Sequence, residues 1–367
     1  MVDRLRTDGS TLTRRELLAS VGGLAVAAAL PAGLGASGAA PTRPSQAAFP
    51  RKDDFDIPGG ITYLNGAYMH PMPTVVRDAV RDYVDRRAGF TTRTSDDPNI
   101  SATVKTAFAR LINAEPDEIA FVPNTSTGEV LTVHALGIPE TGGNVVTDAL
   151  HFEGAIVHLQ SLARRSDLEV RIAMPRDGRI ALDDLDQLID RETRLVELSL
   201  VTMYNGFEHD LKAVCDLAHS RGAYVYADII QGVGAVPLDV RETGVDFCAC
   251  SGFKWLMADL GLGFLYARKE LLGTAVRRPQ VGYHSVSSYG THFLPYDEPG
   301  DAPFSWELGD SAWAFFEVGS VSGAARAALA ASIPYLLDLD VAAIQRHRQP
   351  LLDRLRDEMP RLGFECV

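Results

Sequence analysis

From Ile61 onward the chain alternates short apolar runs with longer stretches whose apolar residues recur every three or four positions. The short runs, residues 118–123, 144–147, 169–174, 195–201, 224–227 and 263–266, have the length and continuity of buried strands. The stretches 74–87, 100–112, 154–164, 182–189 and 211–219 carry helical periodicity. Strands that alternate with helices predict an α/β fold, a parallel sheet with helices on both faces. Ligands on such sheets sit beyond the carboxyl ends of the strands. The polar residues that follow the apolar runs are therefore the place to look for chemistry. No internal repeat or long charge block interrupts the pattern.

Three such places stand out. After Phe121-Val122 comes Pro123-Asn124-Thr125-Ser126-Thr127-Gly128, leading into a helix. Hydroxyls and free N–H groups at a helix start suit a phosphate or carboxylate, and the same residues also serve as plain N-caps. The strand Tyr224-Val225-Tyr226-Ala227 runs into Asp228, with Gln231 three residues on. This Asp can pair with a cationic ligand atom or cap a helix. Third, Lys254 stands in the apolar segment 248–257. A Lys in apolar surroundings loses charge solvation, which frees a neutral amine for Schiff-base chemistry, unless its head reaches water. An anion cradle, an Asp and a Lys together are what pyridoxal phosphate requires. The Lys forms the Schiff base, the Asp holds the pyridine nitrogen protonated, and the cradle takes the phosphate.

The order Ala227-Asp228-Ile229-Ile230-Gln231, Pro237-Leu238-Asp239-Val240, Ser251-Gly252-Phe253-Lys254 and Gly261-Leu262-Gly263-Phe264-Leu265-Tyr266 resembles the class V aminotransferase family. The resemblance runs from about Ile61 to about Leu337. It implies the type I fold of pyridoxal-phosphate enzymes, a large domain built on a mostly parallel sheet and a small C-terminal domain. It implies Lys254 as the Schiff-base lysine, Asp228 as the partner of the pyridine nitrogen and Gln231 on the ring hydroxyl. Thr125 and Ser126 match the phosphate loop, with Ser126 the better match, and Ser251 matches a further phosphate contact. Phe152 falls where an aromatic ring covers the cofactor, with His151 in its place if the alignment slips by one. Phe316-Glu317-Val318-Gly319-Ser320 resembles a run that reaches the cofactor of a neighbouring subunit, so Ser320 implies a homodimer with shared sites. Asn65-Gly66-Ala67 resembles a segment near the substrate.

The chain departs from the family pattern in places. Phe253 replaces a His before the lysine, and Met203 replaces an Asn, with Asn205 two residues on. Residues 321–367 match only the start of the small domain, without the family's carboxylate-binding Arg or, for desulfurases, the loop Cys. The likeness leans toward the isopenicillin-N-epimerase-like group. An epimerase needs a second base, for which Tyr204, His151 and His284 are candidates. The alternatives are a cysteine desulfurase or lyase, a transaminase, and a binding protein that keeps the fold without the chemistry. A nucleotide-binding reading lacks the G-x-G-x-x-G turn after the first strand.

Composition narrows the partners. Lys plus Arg is 35 against 48 Asp plus Glu, a net charge of −13, which argues against a nucleic-acid partner. Four scattered cysteines, Cys215, Cys248, Cys250 and Cys366, make neither a disulfide framework nor a zinc-ligand spacing, and no metal is expected. Cys248 and Cys250 read as small buried residues sharing one strand face. At the N-terminus, Thr13-Arg14-Arg15-Glu16-Leu17-Leu18 precedes an Ala/Gly/Leu/Val run and a small-residue stretch, which reads as a twin-arginine export signal. The expected organisation is export signal 1–40, linker and N-terminal arm 41–60, cofactor-binding domain 61–320, and the beginning of a small domain 321–367. The expected partner is a small amino-acid substrate, met outside the cytoplasm.

Overall fold

Each apolar run becomes a strand of one seven-stranded sheet in the computed structural model, which describes residues 49–89, 99–289 and 305–364. The expected export signal, residues 1–40, and Cys366 lie outside the described residues. The strands are β1 (Ile119–Val122), β2 (Gly143–Asp148), β3 (Leu168–Ala173), β4 (Thr193–Ser199), β5 (Tyr224–Asp228), β6 (Phe247–Ser251) and β7 (Gly263–Ala267). Their order across the sheet is β1-β7-β6-β5-β4-β2-β3. The pairs β2·β3, β2·β4, β4·β5 and β5·β6 are parallel, and β7 runs antiparallel to both β6 and β1. The mostly parallel sheet is the expected one, with one reversal. A parallel crossover needs about a dozen or more residues, usually with a helix. The connection 252–262 contains no helix, so β7 returns beside β6. That return keeps Lys254 at the sheet edge where the parallel strands end.

The longer described helices are α1 (Thr74–Ala88), α2 (Ile100–Ile112), α3 (Thr125–Ala135), α4 (Glu153–Ala163), α5 (Leu211–Ser220), α6 (Gly323–Leu339) and α7 (Val341–Glu358). Their starts are capped as composition suggests. Asn124 Oδ1 accepts from Thr127 N–H at 2.8 Å, Asp210 from Ala213 N–H at 3.0 Å, and Ser322 from Ala325 N–H at 3.2 Å. Such caps contribute about 1 kcal/mol each.

Strand alternation divides the core into two layers. Phe121, Val196, Leu198, Val225, Ala227, Cys248, Cys250 and Phe264 face one way. There Phe108 of α2 stacks on Phe264 with ring centroids 3.8 Å apart. Helix α6 packs on α1 and α2. Val122, Val145, Leu195, Tyr226, Phe247, Ala249 and Leu265 face the other way, beneath α3 and α4. Each fully buried large apolar side chain contributes about 1.5–3 kcal/mol. Helix α3 lies so close to β6 that a Cβ on Gly128 would stand 2.6 Å from Ala249 Cβ. Helix α7 has no buried residue, and Leu351, Leu352 and Leu355 are exposed on it. Among the described residues no single helix is long and apolar enough to cross a membrane.

Candidate active site

At the carboxyl edge of the parallel strands lies a cavity of about 180 Å³. It is walled by the start of α3, the turn before α4, the end of β5 and the loop after β6. Thr125, Ser126, Phe152, Asp228, Gln231, Ser251 and Lys254 line it. The fold thus brings together seven of the eight residues expected from sequence. Ser320 does not line the cavity and is exposed.

The phosphate loop is a helix start held open. Thr125 N–H donates to Ser251 Oγ at 3.0 Å, and the two hydroxyls are 3.1 Å apart. Asn124 takes the Thr127 N–H and, at 3.0 Å, the Thr127 hydroxyl. Among the described residues neither the N–H nor the hydroxyl of Ser126 has a protein partner. Two free donors at the positive end of an eleven-residue helix form a cradle for an anion.

Asp228 closes β5 and is buried, its Oδ1 accepting from Ile230 N–H at 2.9 Å. Burial pushes this carboxyl above its ordinary value, opposed by His151, by the Ile230 N–H and by Lys254. Lys254 is half-buried, and burial lowers its amine against the opposing pull of Asp228. No hydrogen bond or ion pair holds its Nζ among the described residues, and the Phe253 ring centroid is 6.0 Å away. An uncommitted amine near a carboxylate is free to react.

Phe152 precedes the first residue of α4, and its ring lies against Gly154, where a Cβ would stand 2.6 Å from it. Of the two aromatic candidates, Phe152 lines the cavity. His151 points inward and is fully buried, its Nδ1 2.8 Å from Ser199 Oγ and its Nε2 3.5 Å from Glu197 Oε1. Gln231 holds two neighbours. Its Nε2 donates to Ala67 O at 3.0 Å and its Oε1 accepts from Trp255 Nε1 at 2.8 Å. One amide N–H of Gln231 remains, and the Asn65–Ala67 segment is tied to the site through it.

Met203 lines the cavity, whereas Asn205 turns away to Thr202 and the Gly178 carbonyl. The three proposed second bases are absent from the lining. Tyr204 donates to Glu153 at 2.7 Å and His284 Nδ1 is 3.4 Å from Glu317. The three described cysteines are buried on the sheet face opposite Asp228. Burial pushes the Cys215 thiol up to about 12.

Sequence reasoning passed over Ser199, which lines the cavity, and the carboxyls of Glu129 and Glu197. Strand alternation held the signal. Residues 195, 197 and 199 share the face that carries 226 and 228 on the next strand.

The residues present fit pyridoxal phosphate on the chemistry of the donor set. A free amine, a buried carboxylate, an aromatic lid and an unpartnered helix start surround one cavity. The sequence profile described as Aminotransferase class-V matches residues 62–365. A cysteine desulfurase of Haloferax volcanii is 27% identical over 320 residues, 84% of this chain and 70% of its own. The apo structure of a cysteine desulfurase from Thermococcus onnurineus NA1 superposes with a TM-score of 0.72 at 22% identity. The alignment covers 85% of this chain and 76% of that one. The cystine C–S lyase C-DES, solved with its product cysteine persulfide, gives a TM-score of 0.70 at 23% identity. Here 82% of this chain and 80% of the other are covered.

Proposed function

The chain belongs to the class V aminotransferase family of pyridoxal-phosphate enzymes, and within that family we propose that it acts on a small sulfur-bearing amino acid and breaks its carbon–sulfur bond. The observation that carries the cofactor chemistry is the uncommitted Lys254 amine sharing one cavity with Asp228 and the open start of α3. The desulfurase and C–S lyase names of its relatives favour sulfur chemistry over epimerisation. So does the absence of Tyr204, His151 and His284 from the cavity lining.

When bound, the cofactor supplies an aldehyde that condenses with amines and a ring that takes up the electrons of a broken Cα bond. The chain's own residues do the rest. Lys254 would tether the group, and its free amine would carry the Cα proton. Asp228 holds the proton at the pyridine nitrogen. Ser126 and the N-terminus of α3 hold the phosphate, and Ser251 orients Thr125 beside it. Gln231 offers its remaining N–H to the ring hydroxyl, and Phe152 covers the ring. Ser320 lies outside the cavity, and we assign it to the site of a second copy. Sedimentation at equilibrium tests this, and a monomer with full activity would refute it. Residues 1–40 we assign on sequence alone to twin-arginine export. A full chain that still leaves the cytoplasm after Arg14→Lys and Arg15→Lys would refute that.

The test is spectroscopic first. Protein given pyridoxal phosphate should turn yellow, and borohydride should bleach and fix the colour. Lys254→Ala should show neither and should lose about 10²–10⁴-fold in rate. L-cysteine and L-cystine then sort the reactions. Elimination releases the sulfur and leaves pyruvate and ammonium. Transfer of sulfur to a thiol leaves alanine. Exchange of the Cα hydrogen with neither product would return the reading to epimerisation, and a wild type that takes up no cofactor would sink it.

A further inference from the structure

Beneath the cavity, on the sheet face covered by α3 and α4, lies a second polar cluster. The β4–β5 register sets Glu197 beside Tyr226 and Ser199 beside Asp228. Glu129 reaches down from α3 and His151 in from the turn after β2. One donor atom from each of Glu129, His151 and Glu197 lies within 4.8 Å of the others, and all three residues are buried. His151 spans the gap toward the cavity, with Nδ1 on Ser199 and Nε2 toward Glu197. Glu129 Oε1 is 3.1 Å from His158 Nδ1. Glu197 Oε2 and Tyr226 Oη are buried without a hydrogen-bond partner among the described residues.

Among the described residues no Lys or Arg acts on either carboxyl. Two ionised carboxylates so close, in a site closed to water, repel strongly, and desolvation adds to the cost. A single proton between them removes the repulsion and gives the orphaned oxygen a partner. We propose that Glu129 and Glu197 share one proton, and that the single negative charge left on the pair, reaching Asp228 through His151, makes them positioning residues for the carboxylate that faces the cofactor. The part concerning Asp228 rests on the cofactor reading above, and the shared proton does not.

The groups around the pair come from every neighbouring element. Helix α3 brings Glu129 and His134, whose ring lies 6.2 Å from that of His158 on α4. Strand β5 brings Tyr226 and Asp228, and Cys248 of β6 acts on Tyr226. Burial pushes both Glu129 and Glu197 upward, and the nearness of Glu197 adds to the rise at Glu129. A carboxyl raised above its unfolded value of about 4.3 binds more protons folded than unfolded. Its contribution to stability is complete below that unfolded value and is lost as pH rises through about 8.

Urea unfolding of the full chain without cofactor, from about pH 5 to about pH 9, reads that loss. The wild type should lose stability across the range. Glu197→Gln and Glu129→Gln should each flatten the slope, because the Gln amide donates to the carboxylate left behind and offsets the burial that raises it. Wild-type protein at neutral pH should also show the infrared carbonyl stretch of a protonated carboxyl, and the double Gln variant should lose it. In cofactor-loaded protein each single variant keeps one negative charge and should leave the titration midpoint of the visible band unchanged. The double variant should lower it by about 0.5–1 pH unit, since a negative charge near a cation has been removed. An unchanged slope in the single variants or a wild type without the infrared band would overturn the shared proton. So would a stoichiometric metal ion found by elemental analysis. An unmoved midpoint in the double variant would overturn the positioning role alone. If the variants fail to fold, the wild-type infrared and elemental measurements still decide. Protein that never takes up the cofactor would fail the functional reading and leave the stability and infrared results standing.

Discussion

Two of the buried charged clusters among the described residues are built on opposite logic. Lys105 of α2 meets Glu317 at 2.5 Å. The same carboxylate accepts the Phe121 N–H of β1 at 2.8 Å, and the Lys105 ammonium lies 4.7 Å from the Phe121 ring centroid. Every charge there has an opposite partner. Glu129 and Glu197 instead meet each other with imidazoles beside them and, among the described residues, no Lys or Arg acting on either. Both clusters are closed to water, so burial does not distinguish them. The sign of the neighbours does. A matched pair fixes chain segments to one another, here β1 to a residue 196 positions away. A mismatched pair holds a proton, and protons are what a site next to Asp228 trades in.

The contrast can be broken from the matched side first. Lys105→Met should cost about 3–5 kcal/mol in urea unfolding, because it leaves the buried Glu317 carboxylate without its ammonium. Adding Glu317→Leu should recover a large part of that loss, while either change should leave the pH slope assigned to Glu129 and Glu197 untouched. A smaller effect sharpens the other side. Gly128→Ala drives a methyl into Ala249 and should cost about 1–3 kcal/mol. Because the shift carries Glu129 with α3, the pH slope should change as well, and an unchanged slope would separate the helix from the pair. The least effect belongs to Asn124→Ala, about 1 kcal/mol for a lost cap, with the slope preserved.

Asp228 and the start of α3 were readable in the sequence because each follows an apolar run that ends at the same sheet edge, and Lys254 because it stands alone in an apolar segment. Strand β6 was not. Its five residues merge with the apolar loop that follows, and only the return of β7 separates them. His151 and Phe152 could not be told apart by position, since adjacent residues in a turn can point either way. The structure separates them by what each meets, Ser199 and Glu197 for one and the cavity for the other. Glu129 and Glu197 read as ordinary polar positions on a helix and a strand. Their meeting depends on the packing of α3 against the sheet, which no local pattern encodes. Ser320 was legible as a motif, yet its surface position shows that a motif can belong to the family without lining the cavity in its own chain.

The amide of Gln231 joins the carbonyl of Ala67 to the indole of Trp255, one residue after Lys254. Residues 65–70 line no part of the cavity. They are nevertheless on the same mechanical linkage as the lysine. A substitution there would be heard as a change in how long the cofactor stays, and a search for affinity determinants confined to the pocket wall would pass it by.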